Sequence, residues 1–209
     1  MAAGAPLLLV PTEMEQSRLR TIVGGDLPSS ELCGFGPVVA AARTAELLAA
    51  RRPSHVVLVG IAGTFDTEAL PVGEAAAFSR VRLSGVGVGA DPDGHLPFPQ
   101  WAAAAETPPI EDLLDLGDAD LDRTLLTVCR SSVDTAEAAR RRGRWPDVVA
   151  EDMEAFGVAT SCALGGVPLH VVRGISNVVG DRDHANWRID DALAAAWPEA
   201  ASRIERAPS

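Results

Sequence analysis

Short apolar runs rich in Val, Leu and Ile recur along the chain, separated by stretches of helical length. Leu7–Val10, His55–Val59, Thr124–Cys129 and Val167–Ile175 lack the polar alternation of a half-exposed strand, so they read as strands buried on both faces. Val148-Val149 reads as a short strand, and Val72–Leu83 as one or two. Helices are expected near Glu13–Arg20, from Gly36-Pro37 to about Arg52, over Thr135–Arg142, and from about Asp152 to Leu164. Pro37 suits a first helical turn, Pro53 ends that helix, and Gly165-Gly166 ends the later one. The tail from Asn186 reads as a helix interrupted by Pro198. Residues 84–109 carry many Gly and Pro and read mostly as loop, with a turn at Asp93-Gly94. Strand–helix alternation over the whole length predicts an α/β sandwich, its mostly parallel sheet covered on both faces. With no repeat or linker to divide residues 1–209, a single domain is expected.

Chain size and composition narrow the chemistry. A chain of 209 residues with 47% hydrophobic and 22% charged residues has an ordinary globular balance. Its 18 basic against 29 acidic residues leave a net charge of −11, which disfavours nucleic acid as a partner. Every basic residue is Arg, so Schiff-base and P-loop lysine chemistry are excluded. Tyr is absent as well. Cys33, Cys129 and Cys162 form no C-x-x-C pair or His/Cys cluster, so neither disulfide framework nor zinc site is expected, and a reducing cytoplasm is. Met1–Val10 lacks the basic start of a signal peptide, and Ala155–Val172 holds too many Gly, Pro and polar residues for a membrane span.

Several motifs fail on inspection. Gly85-Val-Gly-Val-Gly89 runs into Asp-Pro-Asp-Gly and not a helix, so no phosphate cradle is expected. Gly174-Ile-Ser176-Asn-Val misses the last glycine of a nucleophile elbow, and Asp91-Pro-Asp93-Gly lacks the other ligands of a calcium loop. His55 and His170 read as core groups. Arg140–Arg144 reads as a solvated helix end facing the helix dipole.

Binding sites in such sheets gather at the carboxyl ends of strands. There, Glu13 and Glu15 follow the first strand in Val10-Pro-Thr-Glu-Met-Glu15. Glu151-Asp-Met-Glu154 interrupts a strand–helix junction, and Val172-Arg173-Gly-Ile-Ser176-Asn177 closes a β-branched strand. Taken singly, each has an ordinary reading as helix-dipole or turn chemistry. Together, in this order, with Gly60-Ile-Ala62-Gly63 and the Met153-Glu154 to Arg173-x-Ile-Ser176-Asn177 spacing, they resemble the nucleoside phosphorylase/nucleosidase superfamily. Pro11-Thr-x-x-Glu15, Asn177, Gly180-Asp-Arg-Asp183 and Trp187 resemble its futalosine hydrolase branch.

The resemblance implies a three-layer α/β/α sandwich around a mixed central sheet, a homodimer or larger homo-oligomer, a small purine nucleoside as partner, and neither cofactor nor metal. It implies hydrolysis of futalosine to hypoxanthine and dehypoxanthinyl futalosine, in menaquinone biosynthesis. Glu15 would activate water, Glu154 would hold the ribose hydroxyls and Met153 would pack on the sugar, with Ala62, Gly63 and Ser176 also touching substrate. N-ribosyl cleavage builds positive charge on the sugar and negative charge on the departing purine, so carboxylates beside the sugar suit it. An amide at Asn177 offers both a donor and an acceptor; it can donate to the O6 of a 6-oxopurine, which an ionised Asp would repel. Two glutamates in the first loop also disfavour phosphate, and Arg173 reads as a structural partner for a buried acid. Ser131-Ser-Val-Asp134 lacks an aromatic to stack on the base, while Arg182 or Arg188 is a candidate for the substrate carboxylate. The alternatives are a methylthioadenosine/S-adenosylhomocysteine nucleosidase, a purine nucleoside phosphorylase, and a non-catalytic nucleoside-binding domain.

Overall fold

The computed structural model describes residues 4–86, 112–117 and 122–206. The strands are β1 (Leu7–Val10), β2 (Ser30–Leu32), β3 (Val56–Thr64), β4 (Ala75–Phe78), β5 (Arg80–Leu83), β6 (Leu113–Asp115), β7 (Thr124–Thr127), β8 (Val148–Asp152) and β9 (Leu169–Val178). The described helices are α1 (Glu13–Val23), α2 (Pro37–Arg51), α3 (Thr135–Arg144), α4 (Ala155–Gly165) and α5 (Ile189–Glu205). All nine strands among the described residues form one mixed sheet. β1 lies parallel to β2 and β3, and β3 to β9. β4 is antiparallel to β9, and β6 to β5.

Period-two geometry explains why β1 and the first half of β3 are apolar throughout. Leu7 and Leu9 of β1 face one side with Val56 and Leu58 of β3, packing on Leu47 of α2 and Val158 of α4. Leu8, Val10, Val57 and Val59 face the other side and meet Leu19 of α1 and Leu193 and Ala196 of α5. These are the two outer layers of an α/β/α sandwich. Each fully buried Leu or Val contributes about 1.5–3 kcal/mol of hydrophobic stabilisation.

Four local expectations change. Gly60–Gly63 belongs to β3, whose ladder with β9 continues to Thr64 with an irregularity at Ala62/Gly63. Glu151 and Asp152 end a strand and do not start a helix, and α4 begins at Ala155. Pro198 lies inside α5 without ending it. Its ring is exposed, while Ala196, Ala200 and Arg203 pin the buried face on both sides. Arg141, in the run read as solvated, is buried. The Asp93-Gly94 turn and most of the 84–109 loop lie outside the described residues.

β3 and β8 overlap only through Gly63↔Glu151 and Thr64↔Ala150, antiparallel. Their carboxyl ends therefore meet, beside the ends of β1, β7 and β9.

Candidate active site

A cavity of about 290 Å³ opens where those strand ends meet. Glu15, Ala62, Gly63, Met153, Glu154, Ser176 and Asn177, every site residue expected from the sequence, line it.

Glu15 is held by the start of α1. Thr12 caps that helix, accepting from the Glu15 N–H at 3.3 Å, and its hydroxyl donates to Glu15 Oε2. Glu15 Oε1 accepts from the Ile61 N–H at 2.9 Å. Burial raises the Glu15 pKa above the ordinary carboxylate value; the Thr12 hydroxyl, the Arg173 charge and the Ile61 N–H offset this only in part.

Behind the cavity floor lies a buried Arg. Arg173 and Asp152 are fully buried and paired at 2.5 Å. Asp152 also accepts from the Thr127 hydroxyl at 2.6 Å and from the Ala155 N–H, the first of α4, at 2.9 Å. Glu154 Oε2 stands 3.7 Å from Arg173 Nη2, and Oε1 accepts from the Gly36 N–H at 3.1 Å. Burial, then repulsion from Asp152, pushes the Glu154 pKa up to about 7 against the pull of Arg173. Burial disfavours the charge on Arg173 itself, but Asp152, Glu154 and Glu15 outweigh it and keep the guanidinium cationic. Arg173 Nε and Nη1 have no hydrogen-bond partner among the described residues. A Cβ on Gly60 would stand 2.3 Å from Arg173 Nη1 and 2.8 Å from Glu15 Oε1. Only glycine leaves room for these two groups to approach one another.

Asn177 Oδ1 accepts from the Ser176 hydroxyl at 2.8 Å, and Nδ2 donates to the Val178 carbonyl at 2.9 Å. One N–H of the amide and one lone pair remain for a ligand.

Two features escaped sequence reasoning, the Phe35 face and the Glu151–Arg141 pair, while Arg182 was a candidate from the sequence. Phe35, largely exposed, brings an aromatic face to the cavity together with Trp187. A large apolar residue between Gly34 and Gly36 was the available signal. Glu151 lines the cavity and pairs with Arg141 at 2.8 Å; nothing local distinguishes Arg141 from its exposed neighbour Arg140. Arg182 lines the cavity and lies over the Trp187 ring at 5.2 Å. Arg188 does not line it, since its guanidinium pairs with Asp191 and donates to the Val72 carbonyl. Among the described residues no His, Cys, Asp and Glu cluster has metal-binding geometry, and no helix is long and apolar enough to cross a membrane.

The chain is 39% identical to futalosine hydrolase of Streptomyces coelicolor over 78% of its own length and 72% of that protein's. It is 32% identical to a 5′-methylthioadenosine/S-adenosylhomocysteine nucleosidase of Chromohalobacter salexigens over 70% of this chain, spanning 65% of that relative. Among solved structures, futalosine hydrolase of Helicobacter pylori superposes with a TM-score of 0.74 at 13% identity, covering 97% of both chains. The Colwellia psychrerythraea methylthioadenosine/S-adenosylhomocysteine nucleosidase in complex with adenine gives 0.72 at 17% identity, covering 97% of this chain and 95% of that one. A family profile described as the phosphorylase superfamily matches residues 10–207, and the chain belongs to that superfamily.

Proposed function

We propose that this chain is a nucleosidase that hydrolyses the N-ribosyl bond of futalosine, releasing hypoxanthine and dehypoxanthinyl futalosine for menaquinone biosynthesis. The observation that carries the reading is the convergence of Glu15, Glu154 and Asn177 on one cavity. The 39% identity to a futalosine hydrolase supports the substrate.

Glu154 accepts hydrogen bonds from the ribose hydroxyls and faces the positive charge that develops on the sugar. That charge favours its ionised form, which the cavity alone holds back. Glu15, which lines the cavity, holds the attacking water, with the buried Arg173 charge behind it. As the water oxygen bonds to C1′, its proton passes to Glu15 and the C–N electron pair leaves with the purine. A raised pKa brings Glu15 closer to the range where a base works best at neutral pH. Asn177 donates to O6 and accepts from N7–H, and the N7 proton comes from solvent. Glu15, Glu151, Asp152 and Glu154 all line the cavity, a poor place for a phosphate nucleophile. Free Cys33, Cys129 and Cys162 suit the reducing cytoplasm in which we place the enzyme, as a homo-oligomer.

The test is to incubate the pure protein with futalosine, inosine and methylthioadenosine in phosphate-free buffer and identify the released base. Hypoxanthine from futalosine is expected. Preferred adenine release moves the chain to the methylthioadenosine branch, a phosphate requirement moves it to the phosphorylases, and inactivity on all three favours a binding domain.

A further inference from the structure

A buried ion network, separate from the carboxylates that flank the sugar, holds one wall of the cavity. Segment 129–133 follows β7 and belongs to no helix or strand, so its backbone groups need side-chain partners. The Ser132 N–H donates to Glu151 Oε1 at 2.8 Å and its hydroxyl to Oε2 at 2.7 Å. Arg141 Nη1 donates to the same Oε2 at 2.8 Å, and both its terminal nitrogens reach the Arg130 carbonyl at 3.1 Å. The Val133 N–H donates to Glu137 at 2.8 Å, and Glu137 lies 3.3 Å from Arg141. Ser131, in the same wall, donates to Met153 Sδ at 3.4 Å.

Strand register places this wall opposite Asn177. Gly63 of β3 pairs with Glu151 on one side and Asn177 on the other, so the three stand in one row. A Cβ at Gly63 would stand 3.4 Å from Asn177 Nδ2. Val179 Cγ2 would be nearer still, at 3.1 Å, so the floor between the Asn177 amide at one end of the row and Ser132, held by Glu151, at the other is closed by Gly63 and Val179, which line the cavity with them. The row continues into the neighbouring wall, where Gly180 packs on the backbone of Asp134 at the start of α3.

We propose that Glu151 and Arg141 are a positioning pair that sets Ser131 and Ser132 against the purine, so that affinity for the base depends on an ion pair remote from the sugar. The proposal rests on the nucleosidase reading above. Glu151 has both oxygens occupied by Ser132 and Arg141 and acts through them.

The experiment compares wild type, Arg141→Lys and Glu151→Gln. Lys keeps the charge but lacks the planar fork that spans two acceptors. Hypoxanthine release by wild type tests the nucleosidase reading by itself. Calorimetric binding of free hypoxanthine and adenine reads the pair even in a protein that turns nothing over. Each variant is expected to bind the free base about tenfold more weakly and to raise KM to match, as the wall against the base loses its fixed position. Arg141→Lys is expected to keep kcat within about threefold, and binding of a cationic iminosugar without a base is expected to stay unchanged. Equal weakening of base and iminosugar alongside a fall in Tm means a merely structural role and overturns the proposal; so does unchanged base affinity. Should Glu151→Gln fail to fold, Arg141→Lys reads the same base-to-sugar ratio, with the same outcome deciding.

Discussion

Replacing Glu15 by Gln separates chemistry from folding, because the structure offers the amide a place. Glu15 accepts from the Ile61 N–H at one oxygen and from the Thr12 hydroxyl at the other. A Gln with its carbonyl toward Ile61 keeps the first bond, and its NH₂ donates to Thr12 Oγ, which accepts as readily as it donates. The substitution also removes a buried charge whose pKa burial has raised, and Arg173 keeps Asp152 at 2.5 Å and Glu154 at 3.7 Å as counter-charges. Tm is therefore expected to stay within a few degrees of wild type, within about 1 kcal/mol of stability. Catalysis fares differently, since an amide cannot take the proton from water. Loss of a general base costs about 10²–10⁴-fold in kcat, or about 3–5 kcal/mol of transition-state stabilisation. The assay is chromatographic measurement of hypoxanthine released from futalosine in phosphate-free buffer, paired with thermal unfolding of both proteins. Turnover equal to wild type, with Tm preserved, refutes Glu15 as the base.

The other predictions concern titration, base choice and packing. With Glu154 titrating at about 7, kcat/KM is expected to fall as pH drops below neutrality; a profile flat from about pH 5.5 to 9 contradicts its role as an ionised sugar ligand. The same shift acts on stability: the folded state holds this proton where the unfolded state has released it, so the Glu154 contribution to stability declines as pH rises from about 4.5 to 7. Urea midpoints in wild type, set against Glu154→Gln, measure it. Asn177→Asp loses the donor to the Val178 carbonyl and is expected to shift the adenine-to-hypoxanthine release ratio toward adenine by about tenfold or more, as one lost hydrogen bond implies; an unchanged ratio removes Asn177 from base selection. Gly60→Ala drives a methyl to 2.3 Å from Arg173 Nη1 and is expected to cost about 1–3 kcal/mol of overpacking in denaturant unfolding, with a greater proportional loss of activity than of stability.

Much of the frame is legible locally. Leu7–Val10 and Val56–Val59 are apolar at every period-two position, and only a sheet covered on both faces buries both sets. Pro37 at the first turn of α2 and the turn at Gly166 mark helix ends through backbone chemistry that needs no partner. Where local reasoning erred, a distant contact had outweighed it. Pro198 loses one helical hydrogen bond, a cost of about 3 kcal/mol, yet the packed Ala196 and Ala200 carry α5 past it. The apolar run that marks the second strand stops at Val59, but β9 supplies ladder partners for Gly60, Ile61, Ala62 and Gly63 as well.

Residue types and strand-end position marked the segments that hold Glu15, Glu154 and Asn177, and the family resemblance those segments carry nominated the three residues, because side-chain chemistry and motif order are properties of the sequence alone. Bringing them into one cavity took the meeting of five strand ends, and in particular the two-residue antiparallel contact of β3 with β8. The same holds for ionisation. A glutamate is a glutamate in any sequence, but Glu154 titrates at about 7 because folding withdraws it from water and sets it beside Asp152. Arg141 faces Glu151 and not solvent because folding brings its guanidinium within 2.8 Å of a carboxylate at the end of β8. Burial and Coulomb interaction depend on distance in space, which separation along the chain does not encode.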